Sequence, residues 1–158
     1  MRWMPVIIWA GVIFYMSTRT FGSSFSNRLL ADILNFFHVE VSHHTFYLLA
    51  TGFRKLGHFT EYGIFAIFLY HALGDENRSA WNSRKALACI LLAALYSLTD
   101  EFHQRFVPNR GPSIVDCGFD TIGATLGIMI VYLVNKKFVK PGEKKLKGKV
   151  GGNDSISS

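Results

Sequence analysis

Apolar residues occur in four blocks along this chain, separated by polar or turn-rich connections. The blocks run from Trp3 to Met16, from Leu56 to Leu73, from about Ala86 to Thr99 and from about Cys117 to Val134. Long apolar blocks are typical of membrane-spanning helices, which need about 20 residues to cross the hydrocarbon core. The pattern therefore predicts an all-α, polytopic membrane protein with four transmembrane helices.

The first block is short and follows Arg2, a combination that also describes a signal peptide. The polar segment after Met16 offers no convincing small-residue cleavage site. We therefore interpret the block as an uncleaved first span, with Trp3 and Trp9 as interfacial anchors.

The connection between the first two blocks predicts two short amphipathic helices on the outer membrane surface. In the first helix, apolar residues recur at helical spacing, at Leu29, Leu30, Ile33, Leu34 and Phe37. The second runs from His44 to Phe53. Neighbouring side chains of a helix point about 100° apart, so we interpret His43 and His44, like His38, as solvated and not as a metal site.

Ionisable residues lie inside the second block and just after the third. His58, Glu61 and Tyr62 stand at i, i+3 and i+4, with Lys55 one turn earlier. If the third block continues as a helix, its next polar residues share a face in the same way; they are Asp100, His103 and Gln104, with Glu101 beside them. A charge at the centre of a membrane helix costs about 2.5–3.5 kcal/mol, so these groups need partners or water.

The fourth block carries a stripe of acidic and small residues on one face. Asp116, Asp120, Gly123 and Gly127 follow at i, i+4, i+7 and i+11. The pattern Gly123-x-x-x-Gly127 favours close contact with another helix. We therefore expect both aspartates to point into the bundle and not toward lipid.

Composition supports one membrane domain followed by a tail. Of the 158 residues, 49% are hydrophobic and 18% charged, which is too apolar for a disordered chain. The net charge of +6 comes largely from lysines near the C-terminus and does not by itself indicate nucleic-acid binding. We predict a membrane domain over residues 1–135 and a basic, disordered cytoplasmic tail over 136–158. Cys89 and Cys117 fall in apolar blocks and are interpreted as buried thiols.

The distribution of positive charge predicts the orientation in the membrane. Arg2, the loop 74–85 and the tail hold 11 of the 17 Lys and Arg residues, so we expect both termini in the cytoplasm. One set of polar residues then lies at the extracytoplasmic end, where it forms a pocket. It comprises Lys55, His58, Glu61, Asp100, Glu101, His103, Gln104, Arg110, Asp116 and Asp120.

Three ordered motifs contain these residues. They read Arg54-Lys55-Leu-Gly-His58-Phe-Thr-Glu61-Tyr62-Gly, then Asp100-Glu101-Phe-His103-Gln104-Arg-Phe-Val-Pro-Asn-Arg110, then Asp116 with Asp120-Thr-Ile-Gly123-Ala-Thr-Leu-Gly127. Over about residues 3–135 the chain resembles the VanZ-like family, although Asn109 stands where glycine is frequent. The resemblance implies a small bacterial membrane protein linked to the cell envelope and, in some members, to resistance to the glycopeptide teicoplanin.

The resemblance supplies no agreed reaction, and the residues leave several hypotheses open. In an enzyme acting on a lipid-linked or other anionic envelope substrate, acid–base chemistry would fall to His58, Glu61, Asp100, Glu101 and His103. Substrate binding would fall to Lys55, Gln104, Arg110, Asp116 and Asp120. The same carboxylates and imidazoles offer ligands for a divalent metal.

A binding or shielding protein would hold a head group, a lipid-linked envelope precursor or a glycopeptide in the same pocket without chemical change. In a purely structural protein the charged groups would only satisfy one another. Chemical turnover of a substrate distinguishes an enzyme from a binding protein. A purely structural role predicts that replacing His103 lowers stability in detergent as much as it lowers any phenotype. The sequence assigns no substrate and no oligomeric state, and beyond the lipid bilayer it leaves the partner open.

Overall fold

The computed structural model describes residues 1–18, 23–74, 81–106 and 113–150, and all regular structure in these ranges is helical. Five helices follow one another: α1 Met4–Ser17, α2 Ser23–Phe36, α3 His43–Ala72, α4 Ser83–Gln104 and α5 Ile114–Val150. The all-α prediction is confirmed for the described part of the chain.

Local sequence explains where the longer helices begin. The Ser42 hydroxyl accepts a hydrogen bond from the Thr45 amide at 3.2 Å, and the Asn82 side chain accepts one from the Lys85 amide at 3.1 Å. Such caps satisfy backbone donors that have no partner inside the helix. Pro5 lies in the first turn of α1, where its missing amide hydrogen costs nothing.

One prediction about the connection is wrong. Residues 44–53 form no separate surface helix but the first turns of α3, a single helix of 30 residues. Once Ser42 has capped the start, no proline interrupts the chain before Ala72, and each added residue contributes another backbone hydrogen bond. The preceding amphipathic segment is helical as predicted and forms α2.

The closest packing in the bundle joins α3 to α5. A Cβ atom placed on Gly123 would overlap the carbonyl oxygen of Phe59, and one on Gly127 would overlap that of Gly63. The two backbones therefore touch, which only glycine permits. The small-residue contact predicted for α5 is confirmed, and its partner is the Phe59–Gly63 turn of α3.

On α4, large apolar residues are exposed and polar residues are buried, which is the reverse of the distribution in a soluble protein. One face exposes leucines by 53–60%, namely Leu87, Leu91, Leu95 and Leu98. The opposite face buries polar side chains, namely Ser97, Asp100, Glu101 and Gln104. Water favours neither arrangement, whereas lipid around the leucines and polar partners inside the bundle accommodate both.

Two helices in the described ranges are long and apolar enough to cross a membrane: α4, and the Ile114–Lys137 part of α5. By contrast, α1 is apolar but has only 14 residues. The four-span arrangement and the cytoplasmic placement of the termini stay predictions. The backbone of α5 continues as a helix to Val150, into the segment 136–158 that the sequence predicts to be a disordered tail.

Candidate functional site

Polar residues from four helices meet at one end of the bundle. They lie at the C-terminal ends of α1 and α4, in the middle of α3 and in the first turns of α5. Three contacts link segments far apart in the chain: Lys55 to Asp116, Ser17 to Gln104, and Ser97 to Asp120. The structure thus brings seven of the predicted site residues to the same end, in three arrangements with different surroundings: Lys55, His58, Glu61, Asp100, Gln104, Asp116 and Asp120.

The first arrangement is an ion pair between α3 and α5. Lys55 Nζ lies 3.1 Å from Asp116 Oδ1 and 4.4 Å from the centre of the Phe119 ring. The two charged side chains remain 30% and 23% exposed. Lys55 and Asp116, both predicted to bind substrate, therefore neutralise each other and join their helices.

The second arrangement is buried. Asp100 Oδ2 accepts a hydrogen bond from Gln104 Nε2 at 2.9 Å, and the same amide donates to Ser17 Oγ at 2.8 Å. Ser97 Oγ donates to Asp120 Oδ2 at 2.5 Å. These side chains are at most 5% exposed, so the α4 end holds polar groups away from solvent and joins α1, α4 and α5.

We call Asp100, Asp120 and Tyr62 the buried acidic cluster. The Tyr62 hydroxyl lies close enough to both carboxylates to interact electrostatically, yet it meets hydrogen-bond geometry with no described residue. Asp100 Oδ1 and Asp120 Oδ1 likewise have no hydrogen-bond partner in the described ranges. The sequence identifies Tyr62 only as a neighbour of His58, because its contact with α4 and α5 depends on tertiary packing.

Glu101 and His103 face other surroundings. Glu101 is 6% exposed, and its Oε2 accepts a hydrogen bond from the Ser113 amide at 2.7 Å, just before α5 begins. The imidazole of His103 packs on the Phe14 ring of α1, with ring centres 4.6 Å apart. Although α4 continues as predicted, Asp100 and Gln104 are buried, whereas His103 is only partly buried against Phe14 of α1. Arg110 lies outside the described residues.

The third arrangement is an open pocket between α2 and α3, of about 230 Å³, which we call the α2–α3 pocket. Its apolar lining, called here the apolar wall, consists of Met16, Phe25, Leu29 and Phe53, and its polar lining of Ser26, Arg54, His58 and Glu61, together with Gly57. His58 Nδ1 lies 4.0 Å from Glu61 Oε2. The amphipathic pattern of α2 predicted an apolar face but not that this face would cover the motif on α3.

Arg54 is the functional candidate that the sequence analysis missed. It is half-buried in the wall of the α2–α3 pocket, and the described residues provide it with no acidic partner. The signal was available in the spacing, because Arg54 stands one turn before His58 on the same helix face. The sequence instead predicts that Lys55 binds substrate, although its side chain points to α5.

The described residues contain no group of three or more His, Cys, Asp and Glu side chains placed to hold a metal ion. The divalent metal in the sequence hypotheses therefore has no ligand set in this part of the chain. Cys89 and Cys117 are both free and buried, as predicted. His38, His43 and His44 are exposed. The catalytic and substrate-binding roles assigned from the sequence stay predictions.

Comparison with known proteins gives a family and no closer relative. The family model described as VanZ/LLP1 matches residues 3–135, which includes all three motifs and every described residue of the site. No curated protein matches the chain. No solved structure matches it either. With most of its length covered by the family model, the chain belongs to the VanZ/LLP1 family.

Proposed function

We propose that this protein is a multi-pass membrane protein of the bacterial cell envelope that binds the anionic head group of a lipid-linked envelope molecule in the α2–α3 pocket. One observation carries the proposal: Arg54 lines a pocket with an apolar opposite wall and has no acidic partner among the described residues. A half-buried guanidinium is costly without an anion, and its planar fork suits phosphate or carboxylate oxygens.

The size and walls of the pocket favour one part of such a molecule. Sites that enclose a whole small molecule usually measure about 300–1,000 Å³, and this one measures about 230 Å³. A head group fits inside, while an attached chain would continue along the apolar wall of Phe25, Leu29 and Phe53 toward lipid. Glu61 would accept hydrogen bonds from hydroxyl groups next to the phosphate, as in a lipid-linked sugar.

Membrane placement rests on the exposed leucines of α4 and on the two helices long enough to span. With both termini in the cytoplasm, the pocket would open on the extracytoplasmic side, where envelope precursors and glycopeptides are found. Occupying or shielding such a precursor offers a route to glycopeptide resistance. We include teicoplanin resistance in the proposal on the strength of the family alone.

A catalytic role is the second candidate. The observation in its favour is the His58–Glu61 pair in the wall of the same pocket, because a carboxylate next to an imidazole can orient it as a general base. Turnover separates the candidates. Mass spectrometry of a lipid-linked phosphate incubated with the protein should return the molecule unchanged if the pocket only binds.

The binding test uses purified full-length protein in detergent, titrated calorimetrically with farnesyl phosphate, with farnesol and with inorganic phosphate. We expect farnesyl phosphate to bind most tightly, because it alone has both a phosphate for Arg54 and an apolar chain for the apolar wall. Arg54→Gln should weaken its binding roughly 10- to 100-fold, since a hydrogen bond to a charged group contributes about 1.5–3 kcal/mol.

Arg28→Gln is the matched control, because Arg28 is an exposed arginine on α2 outside the pocket lining. It should leave the affinity unchanged. Equal binding of farnesyl phosphate by wild type and Arg54→Gln, with both proteins folded, would remove Arg54 from the site and the proposal with it.

A further inference from the structure

The buried acidic cluster presents an electrostatic problem that its hydrogen bonds do not solve. Asp100 is 5% exposed, Asp120 1% and Tyr62 0%. Each carboxylate has one oxygen in a hydrogen bond and one without a partner in the described ranges. Burying even one ionised carboxylate costs several kcal/mol unless an opposite charge accompanies it.

No cation of the described chain compensates these two groups. Neither Asp100 nor Asp120 forms an ion pair there, and Lys55, at the same end of the bundle, is engaged by Asp116. Other acidic groups make the local charge more negative, because Asp120 interacts electrostatically with Asp100, Glu101 and Asp116. The packing therefore leaves a negative site inside the helices without a counter-charge from the described residues.

The three free oxygens belong to three different helices, α3, α4 and α5. Two are carboxylate oxygens and one is a neutral phenol oxygen, all of them hard ligands that suit small hard cations and protons. In membrane proteins, buried acidic groups of this kind commonly mark ion or proton sites. The Tyr62 hydroxyl is an independent indication, since it is fully buried beside both carboxylates and Ser97, yet it meets hydrogen-bond geometry with no described residue.

We propose that Asp100, Asp120 and Tyr62 form a buried site for one small monovalent cation, Na⁺ or H⁺. A single positive charge would offset the repulsion between the carboxylates and give their free oxygens a partner. Bound between three helices, it would favour the packed bundle over arrangements in which α5 moves away. This inference does not depend on the ligand of the α2–α3 pocket.

The test is thermal unfolding of the purified full-length protein in detergent at constant ionic strength. Choline is replaced by Na⁺ at pH 8, and, separately, the pH is lowered from 8 to 6 in choline. Ligands that bind only the folded state raise Tm, and we expect a rise of at least about 2–4 °C in one of the two series. Response to Na⁺ identifies the metal ion, and response to pH without Na⁺ dependence identifies the proton.

Asp120→Asn should abolish the response, because it removes one of the two negative charges and leaves a neutral side chain of similar shape. Asp32→Asn is the control, since Asp32 is an exposed carboxylate on α2, and the full response should persist in it. The pH response must be assigned by this difference, because several other groups face Asp120. The titratable ones are Asp100, Glu101, Asp116, Cys117 and Tyr62.

Tyr62→Phe gives a second test should Asp120→Asn fail to fold. It removes one oxygen without changing charge, so it should weaken a Na⁺ response severalfold and leave a proton response in place. A wild-type protein whose Tm changes in neither series overturns the proposal. So does a response of equal size in wild type and Asp120→Asn.

Discussion

Two consecutive residues of α3 contribute to two very different polar regions. Glu61 lines the α2–α3 pocket, which has an opening and room for a head group. Tyr62 is fully buried in the acidic cluster, whose three side chains are at most 5% exposed. Consecutive helix positions point about 100° apart, so one motif serves both regions. Polar residues at one membrane depth therefore need not form one site.

The two regions also differ in the sign of the charge that lacks a partner. Among the residues that the structure describes, the Arg54 guanidinium of the pocket has no ion-pair partner, so it calls for an anion. Asp100 and Asp120 of the cluster have no ion-pair partner in the same ranges, so they call for a cation. A single polar pocket, as the sequence predicts, would let these charges neutralise one another. Their separation by α3 is what gives each region its own ligand chemistry.

Glu101 and His103 belong to neither region, so they test whether the division is complete. The sequence hypothesis makes both catalytic, and it predicts that Glu101→Gln and His103→Ala abolish any glycopeptide-resistance phenotype without preventing membrane insertion. His103→Phe is the sharper variant, because it keeps a ring against Phe14 and removes both nitrogens. We expect the phenotype to be lost in all three variants, measured as teicoplanin susceptibility of cells with equal protein levels.

Retention of resistance in His103→Phe but not in His103→Ala would instead assign His103 to packing. Retention in Glu101→Gln would have the same meaning for Glu101, because a glutamine oxygen can still accept the hydrogen bond from the Ser113 amide. Both results together would leave the pocket and the cluster as the only two candidate regions in the described part of this end of the bundle.

The contact between α3 and α5 should affect the cluster more than the pocket. Gly123→Ala places a methyl group against the Phe59 carbonyl and pushes α5, with Asp120, away from Tyr62. Overpacking of this kind costs about 1–3 kcal/mol, and the response to Na⁺ or pH should fall with it. Arg54, His58 and Glu61 all lie on α3, so binding of farnesyl phosphate should change little in protein that remains folded.

Gly118→Ala is the control for that substitution, because a Cβ on Gly118 meets no atom within 4 Å. In a helix this change should be neutral or stabilise by about 0.5–1 kcal/mol. Thermal unfolding and calorimetric titration of the two variants together measure both expectations. Equal stability of Gly123→Ala and Gly118→Ala would contradict the close approach of the two backbones.

Sequence periodicity could predict the helices but not the division of the site. Gly123, Gly127 and Asp120 share a helix face by spacing alone, which is why their inward orientation could be predicted. The partner on α3 and the position of Tyr62 depend on which helices pack together, and spacing within one helix carries no such information. The merger of residues 44–53 into α3 was missed for a related reason, since amphipathicity does not show where one helix ends and another begins.

The smallest expected effect comes from Lys55, which belongs to neither region although it follows Arg54 directly in the sequence. Lys55→Gln breaks an ion pair whose side chains are 30% and 23% exposed, so the free energy of unfolding should fall by only about 0.2–1 kcal/mol. Because Lys55 points to Asp116 and not into the pocket, affinity for farnesyl phosphate should stay at the wild-type value. Arg54→Gln should do the opposite, leaving stability unchanged and weakening binding.

If Lys55→Gln lowers affinity as much as Arg54→Gln, the two cations act on one ligand. Lys55 would then belong to the α2–α3 pocket and not only to the contact between α3 and α5.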